Sequence, residues 1–195
     1  SEMCIRDSCS SCQHSHSDTR NDVILHVPAA GTVLESVQAL LSEGEVKDYT
    51  CGTCGGRGGR QQTCLVSAPE TLIVHSKKVP GQSRDVVCAP HLHLHGSDYV
   101  RVSAVHHHGD TPLVGHYTAT VQNDDTVYHC DDGSVQPRMH PLDTSWNNCY
   151  LAFFQRSGTE QRGGDSGDSH PAGRVMPLES RDISLTAACG VVSER

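Results

Sequence analysis

The chain has 195 residues, of which 35% are hydrophobic and 4% aromatic, and it carries a formal net charge of −8. The low apolar share predicts that part of the chain lies outside a packed core, and the acidic balance argues against sequence-independent binding of nucleic acid. The sequence contains no apolar run of about 18 residues, so it predicts no membrane-spanning helix.

The first eight residues, SEMCIRDS, do not begin with methionine and resemble translated sequencing adapter more than protein. Residues 1–8, including Cys4, are therefore predicted to be non-native and to have no structural role. We interpret the chain as a fragment of a longer protein, so the absence of a visible secretory signal says little about the parent.

Ten cysteines would suit a disulfide framework in a short secreted chain. Two pairs, however, have the spacing Cys-x-x-Cys: Cys9 with Cys12, and Cys51 with Cys54. Without secretory features, this spacing favours metal or redox chemistry in a reducing compartment, either the cytoplasm or the nucleus. Two such pairs can form a closed tetrahedral site for structural Zn²⁺, and four reduced thiols or a redox motif are the alternatives.

The first predicted elements are a strand over 23–27 (VILHV), which is rich in β-branched residues, and a helix that begins at Thr32. Thr32 and Glu35 have the spacing of a capping box, in which each side chain binds a free backbone N–H at the helix start. Gly44 can end the helix. The apolar residues on one helical face are Val33, Leu34, Val37, Leu40 and Leu41.

Strands dominate the predictions that follow. QTCLVS and TLIVHS, on either side of Pro69, predict two strands, and the nearly continuous apolar run of the second predicts an interior strand. Residues 79–97 predict a loop, and the alternating sequence YVRVSAV at 99–105 predicts a strand. HYTATV, TVYHC and CYLAFFQ predict three more strands. Residues 157–195, rich in Gly, Ser, Asp and Glu, predict a disordered tail.

A histidine and an aspartate pair flank the hairpin predicted around QNDD. If Asn123 and Asp124 form a two-residue turn, His116 lies directly opposite Asp131, with the Cβ atoms about 5 Å apart on one face. If the loop has one more residue, Asp132 lies opposite instead. A carboxylate there can fix the tautomer of the imidazole, as in the base and orienting acid of a catalytic triad. An ordinary surface ion pair is the alternative.

Taken in order, these pieces resemble the C-terminal portion of the catalytic domain of the ubiquitin-specific proteases, which are papain-like cysteine deubiquitinases. CSSC at 9–12, the helix TVLESVQALLS and YTCGTC at 49–54 are similar to the zinc-binding fingers of that family. PETLIVHSKK at 69–78 resembles its Pro-x-x-Leu-Ile-x-His-Leu-Lys-Arg strand. YVRVSAVHHHGDTPLVGHYTATV resembles its His box, and VYHCDDGSV followed by CYLAFF resembles its Asp box and last strand.

The resemblance implies an α+β fold with the antiparallel, β-rich fingers (9–66) and palm (67–156) of a papain-like cysteine protease domain, in incomplete form. It implies ubiquitin and ubiquitinated proteins as partners, with neither nucleic acid nor membrane expected. It also implies a structural Zn²⁺, and the ligands would be Cys9, Cys12, Cys51 and Cys54.

The resemblance also implies roles for individual residues. His116 matches the general base that takes the proton of the attacking thiol, Asp131 the residue that orients the imidazole, and Asp132 an adjacent acidic position that can support catalysis. Gly115 lacks a Cβ and would let the Gly-Gly tail of ubiquitin pass close to the backbone. Tyr117, on the other side of the histidine, is the second candidate substrate-binding residue.

The nucleophile of the family lies in an Asn-x-Cys-Tyr/Phe box at a helix N-terminus, which lowers the pKa of the thiol. No cysteine in this chain has that context. The nucleophile is therefore predicted to lie upstream of Ser1, and the chain by itself to be inactive. The alternatives are a catalytically inactive, ubiquitin-binding scaffold, and a zinc-ribbon interaction module joined to an unrelated β domain.

Departures from the family pattern predict a divergent member. Three residues replace the usual Leu, Arg and Phe of the central-strand motif, and two stand where Trp and Phe are common. These residues are Ser76, Lys78, Val79, Val127 and Cys130.

Overall fold

The computed structural model describes residues 1–77, 85–111, 114–138 and 144–157. Apart from Ser157, the predicted tail lies outside these ranges. Over the described residues the chain forms a four-stranded sheet, an eight-stranded sheet and a helix, α1, at Val33–Leu41. The strands are β1 Glu2–Cys9, β2 Ser15–Asn21, β3 Ile24–Pro28, β4 Gly44–Thr50, β5 Arg57–Leu65, β6 Thr71–Lys77, β7 His91–Leu94, β8 Ser97–Thr111, β9 Val114–Asn123, β10 Thr126–Asp131, β11 Ser134–Arg138 and β12 Cys149–Arg156.

The smaller sheet has the strand order β2-β1-β5-β4, and all of its pairs are antiparallel. The sequence predicts no structural role for residues 1–8, whereas the structure places Glu2–Cys9 in an interior strand that pairs on both sides. Met3 is buried in the hydrophobic core and lies opposite Leu65. The difference arises because β1 pairs with β2, the next strand in the chain, and with β5, which is remote in sequence, and the composition of residues 1–8 indicates neither pairing.

The larger sheet has the strand order β11-β10-β9-β8-β12-β6-β3, and β7 pairs with β8 outside this path. All pairs are antiparallel except β3 with β6, which is parallel. β6 is an interior strand, in agreement with its apolar sequence. β3 and α1 fall within residues 9–66 but are associated with the larger sheet, so the two sheets are not two consecutive stretches of chain. The structure is thus β-rich, with little helix.

Helix α1 begins with the predicted capping box. The Glu35 amide donates to Thr32 Oγ1 (3.1 Å), and the Thr32 amide donates to Glu35 Oε2 (2.8 Å). The helix ends at Leu41: Ser42 is already in the extended conformation, and Gly44, which the sequence predicted to end the helix, is the first residue of β4. Leu34 is 40% exposed, and the other four apolar residues pack on or within the core. No helix in the described ranges is long and apolar enough to cross a membrane.

The region around β7 and β8 differs in detail from the predictions. His91–Leu94 forms strand β7 instead of part of a loop. In β8 the alternation of buried residues is interrupted, because the pairing with β12 shifts register between Phe153 and Phe154. As a result Arg101 is buried, at 1% exposure.

The buried guanidinium of Arg101 anchors two connecting segments to the sheet. It lies 3.3 Å from the centre of the Trp146 ring, and it donates to the backbone oxygens of Cys88 (2.6 Å) and Thr144 (2.8 Å). An isolated antiparallel bridge joins Cys88 to Trp146. These contacts place the 144–149 segment beside the face of β8 and β9 on which the candidate site lies.

Candidate active site and candidate zinc site

The β9–β10 hairpin brings His116 and Asp131 into contact, but through a register that differs from both predicted ones. The connecting turn is Asp124–Asp125, and Asp131 pairs directly with Thr118. His116 lies two residues from Thr118 along β9, so it projects from the same face. Diagonal neighbours on one face are within reach of long side chains, and His116 Nε2 lies 2.6 Å from Asp131 Oδ1.

This pair of His116 and Asp131, here called the dyad, has a defined direction of hydrogen bonding. An ionised carboxylate only accepts, so Nε2 carries the proton and Nδ1 of the neutral ring keeps its lone pair. The hydrogen bond to Asp131, the charge of Asp131 and the charge of Asp132 raise the pKa of His116 above its ordinary value of 6.5, against partial desolvation. The His116 and Asp131 side chains are 50% and 47% exposed, so an incoming reactant can approach the ring from solvent.

Asp132 lies in the turn that follows the dyad. Its φ of 47° is in the left-handed region, which non-glycine residues seldom adopt. The turn joins two paired strands, since Asp131 pairs with Ser134 across it. The potential ligand atoms of His116, Asp131 and Asp132 all lie within 4.8 Å of one another. The structure thus brings together the three residues predicted to be catalytic.

Gly115 is required by the packing of its own chain. A Cβ at this position would collide with His107 Nε2 and would lie 2.7 Å from the backbone oxygen of His108. The direction that a side chain would take is therefore filled by β8. This gives a structural reason for glycine, and the contact of Gly115 with a substrate stays a prediction.

Tyr117 is not part of the dyad's surroundings. As the next residue in β9 it projects from the opposite face of the sheet. There its ring lies 4.5 Å from the ring of His107 and 5.5 Å from the ring of Tyr150, centre to centre. A substrate that contacts both His116 and Tyr117 would have to reach around the edge of the strand.

A cavity of about 340 Å³ lies on the same sheet face as the dyad. His106 is part of its wall: its Nδ1 donates to the backbone oxygen of Asn147, and its Nε2 accepts from Thr120 Oγ1, both at 2.8 Å. Burial lowers the pKa of His106, which matches this neutral pattern. His108, directly opposite His116, also lines the cavity. The sequence assigns the His106–His108 run no function, and only the strand register could have connected it to His116.

Four thiols converge at one end of the smaller sheet, where β1 turns into β2 and β4 turns into β5. The Sγ atoms lie within 4.8 Å of one another, and the Cys9–Cys54 and Cys12–Cys51 distances are both 3.7 Å. Tetrahedral Zn²⁺ with Zn–S bonds of about 2.3 Å separates its sulfurs by about 3.8 Å. We call these four residues the tetracysteine cluster, and its geometry and donor set fit a structural zinc ion.

The two Cys-x-x-Cys turns of the cluster have the same backbone geometry. In each, the first cysteine, Cys9 or Cys51, exchanges backbone hydrogen bonds of 2.9–3.0 Å with the residues four and five positions later. The residue four positions later, Gln13 or Gly55, has a left-handed φ of 60° or 68°. The two halves of the cluster are thus shaped independently, each by its own turn.

Ionisation of the cluster also favours a cation. Hydrogen bonds from the amides of Cys54 and Thr53 lower the pKa of Cys51 to about 6. An amide hydrogen bond at His14 lowers the pKa of Cys12, but the neighbouring sulfurs and burial outweigh it and raise that pKa to about 12. A positive charge between the sulfurs would favour the thiolate forms, and Zn²⁺ would supply that charge.

Comparison with known proteins shows a likeness in fold. No protein-family model matches the chain, and no curated protein matches its sequence. The chain is similar to a solved structure described as the SAGA Ubp8/Sgf11/Sus1/Sgf73 DUB module bound to ubiquitin aldehyde, with a TM-score of 0.65 and 16% sequence identity. The match covers 80% of this chain and 41% of that chain, so this chain spans less than half of the neighbour's length.

The chain has a distant deubiquitinase-like fold. At 16% identity the likeness concerns the arrangement of strands alone, and any chemistry has to be argued from the side chains of this chain. Those side chains offer an exposed imidazole with an orienting carboxylate, which can move a proton, and four converging thiols, which can hold a metal ion.

Proposed function

We propose that the chain is the His/Asp-bearing part of a cysteine-type deubiquitinase, whose parent protein hydrolyses the isopeptide- or thioester-linked C-terminus of ubiquitin. The observation that carries this proposal is the 2.6 Å hydrogen bond between His116 and Asp131, with Asp132 beside it. Its support is the similarity of fold to a DUB module bound to ubiquitin aldehyde. Ubiquitin and ubiquitinated proteins are the proposed partners.

In the proposed reaction His116 acts first as a base and then as an acid. Nδ1 takes the proton of a cysteine thiol, and the thiolate attacks the C-terminal carbonyl carbon of ubiquitin. The carbon–nitrogen bond breaks, and His116 returns the proton to the leaving amine. Water then attacks the thioester and gives its proton to His116, the carbon–sulfur bond breaks, and the departing thiolate takes that proton from His116 to regenerate the thiol. Asp131 keeps Nε2 protonated throughout, and the charge of Asp132 favours the imidazolium form.

The thiol in this proposal comes from outside the 195 residues. Among the described residues, the hydrogen-bond partner found for the His116 ring is a carboxylate, and no cysteine is within hydrogen-bonding reach of it. Cys130 precedes Asp131 in β10 and so projects from the opposite face. The chain by itself would therefore form no thioester.

Zn²⁺ in the tetracysteine cluster would have a structural role. It would join the β1–β2 connection to the β4–β5 connection, and a closed four-thiolate site leaves no position for a reactant. Reduced thiols require a reducing compartment, so the proposed location is the cytoplasm or the nucleus.

The test is to sequence the transcript upstream of the codon for Ser1, express the longer product, and treat it with an electrophilic ubiquitin probe. We expect labelling at an upstream cysteine. His116→Gln should slow hydrolysis of a ubiquitin–fluorophore conjugate by roughly 10²–10⁴-fold, the range for a general base. His129→Gln, on the same sheet face but outside the dyad, is the matched control and should retain the rate.

Two outcomes would contradict the proposal. One is hydrolysis of the conjugate by purified residues 1–195, which would show that no external thiol is needed. The other is a longer product whose labelling is insensitive to His116→Gln.

A ubiquitin-binding scaffold without catalysis is the second candidate. The observation that favours it is the lack of a thiol near His116 among the described residues. A longer product that binds ubiquitin but resists the electrophilic probe would support the scaffold over the enzyme.

A further inference from the structure

Apart from the tetracysteine cluster, the described residues contain a second group of side chains with the spacing of metal ligands. It consists of His116, Asp131 and Asp132, with one imidazole nitrogen and two carboxylate oxygens within 4.8 Å of one another. All three side chains are exposed, so an ion can reach them from solvent.

We propose that His116, Asp131 and Asp132 form a reversible binding site for Zn²⁺, and that the bound ion prevents His116 from acting as a base. One nitrogen and two oxygen donors can occupy three corners of a tetrahedron, with the fourth left to water. The imidazole selects for zinc over Mg²⁺ and Ca²⁺, which prefer sites built from oxygen alone.

The charge around the group favours a cation. Neither Asp131 nor Asp132 forms an ion pair with a lysine or arginine in the part of the chain that the structure describes. The cationic partner available to Asp131 is His116 itself, and a metal ion would replace its proton. Because the group is exposed, binding does not require the burial of an unpaired charge.

The backbone holds the two carboxylates in place before an ion arrives. Asp131 is paired with Thr118 on one side and with Ser134 on the other. Asp132 is fixed by its left-handed turn, at φ 47°. Only side-chain rotation is then needed to complete the site.

The dyad hydrogen bond and the bound ion exclude each other. His116 Nε2 and Asp131 Oδ1 are 2.6 Å apart. Two ligands of tetrahedral zinc, with bonds of about 2.0 Å, are about 3.3 Å apart. The half-exposed side chains must therefore separate by about 0.7 Å. The ion then binds Nε2, and the single proton of the neutral ring moves to Nδ1, so Nδ1 has no lone pair left to take the proton of a thiol. Metal binding does not depend on the proposed function, whereas its inhibitory consequence does.

The experiment uses the full chain loaded with one equivalent of Zn²⁺ in the tetracysteine cluster and freed of excess metal. A second titration with Zn²⁺ is followed by calorimetry and by the NMR signals of the histidine rings. We expect one further equivalent to bind and to shift the signals of His116. His116→Gln and Asp132→Asn should each weaken this second equivalent by at least about tenfold, while His129→Gln should leave it unchanged.

Three outcomes would overturn the site: no second equivalent in the wild-type chain, the same affinity in His116→Gln, or an equal loss in His129→Gln. Inhibition is measured separately on the longer product with a ubiquitin–fluorophore conjugate. Binding without inhibition would overturn the regulatory step alone. A longer product with no hydrolytic activity would refute the proposed function and leave the binding result standing.

Discussion

The tetracysteine cluster is built from two connections between strands, and the dyad is built from two neighbouring strands. The two sites are therefore held in place in different ways. Cys9 and Cys51 are buried, at 2% and 1% exposure, and their positions follow from two tight turns. His116 and Asp131 are about half exposed, and their contact follows from the register of a long hairpin. The first site is suited to hold an ion permanently, and the second to exchange protons with solvent.

The largest expected effect comes from removing the metal that the cluster fits. Structural zinc contributes an apparent free energy of about 10–16 kcal/mol in zinc-finger peptides. We expect chelation, or Cys51→Ser, to lower the melting temperature by more than about 10 °C, since each kcal/mol shifts it by about 2–4 °C at this size. Hydrogen exchange should show the loss first in β1, β2, β4 and β5.

Cys130→Ser is the matched control, because Cys130 lies in β10 outside the cluster. It should leave both the zinc content and the melting temperature unchanged. If chelation instead increases hydrogen exchange in β8 and β9 as much as in the smaller sheet, the metal does not stabilise the smaller sheet selectively.

The comparison explains which parts of the molecule could be predicted. Each Cys-x-x-Cys turn and the Thr32–Glu35 capping box form within a single turn, so the residue order alone determines their local geometry. The two cysteine pairs come together as predicted, but their convergence also requires the pairing of β1 with β5. The dyad depends on where the β9–β10 turn falls. The run Asn-Asp-Asp permits several turns, and the left-handed φ of 48° at Asp124 selects one that neither predicted register contains.

The sequence patterns of single segments also do not show which strands pair in a sheet. Residues 1–8 carry little apolar pattern of their own, and they form a strand because β2 and β5 flank them. The parallel pairing of β3 with β6 likewise depends on a partner far along the chain.

The second prediction concerns Arg101, whose buried guanidinium holds two connecting segments beside the sheet face on which the dyad lies. Arg101→Met would leave the carbonyls of Cys88 and Thr144 without their donors, and it would remove the guanidinium from the Trp146 ring. Unsatisfied buried acceptors cost about 1–3 kcal/mol each. We expect urea unfolding to show a loss of about 2–4 kcal/mol.

Arg20→Met is the control for that measurement, because Arg20 pairs with Asp18 at 61% and 54% exposure. Its effect should stay within about 0.5 kcal/mol. Equal losses in the two variants would show that Arg101 contributes no more than a surface arginine.

The third prediction tests whether strand packing positions His116. In Gly115→Ala the new methyl group would meet His107 Nε2 and the backbone of His108, so β9 must shift away from β8. Such overpacking costs about 1–3 kcal/mol. We expect that loss in urea unfolding, together with altered NMR signals of the adjacent His116 ring.

Gly44→Ala provides the comparison for Gly115→Ala, since a Cβ at Gly44 meets no atom within 4 Å. It should change the stability by less than about 0.5 kcal/mol. A Gly115→Ala variant as stable as Gly44→Ala would mean that the contact with β8 relaxes freely.

The smallest expected effect is a pH dependence of the free energy of unfolding that arises from His106, a histidine near the dyad. Burial, and the charges of His108, His129 and Arg101, lower the pKa of His106 below its ordinary value of 6.5, although the Asn147 carbonyl opposes this. Below pH 6.5 the unfolded chain then binds a proton that the folded chain does not, so stability is complete above this pH and decreases as the pH falls.

The ring of the single Trp146 lies 6.2 Å from that of His106, so its fluorescence in urea titrations reports this region directly. We expect His106→Gln to flatten the decrease between pH 7.5 and pH 5.5 without abolishing it, because burial also lowers the pKa of His75. A decrease of the same size in His106→Gln would place the proton-sensitive group elsewhere. The raised pKa of His116 acts in the opposite direction, so a wild-type chain that becomes more stable as the pH falls would mean that His116 outweighs His106.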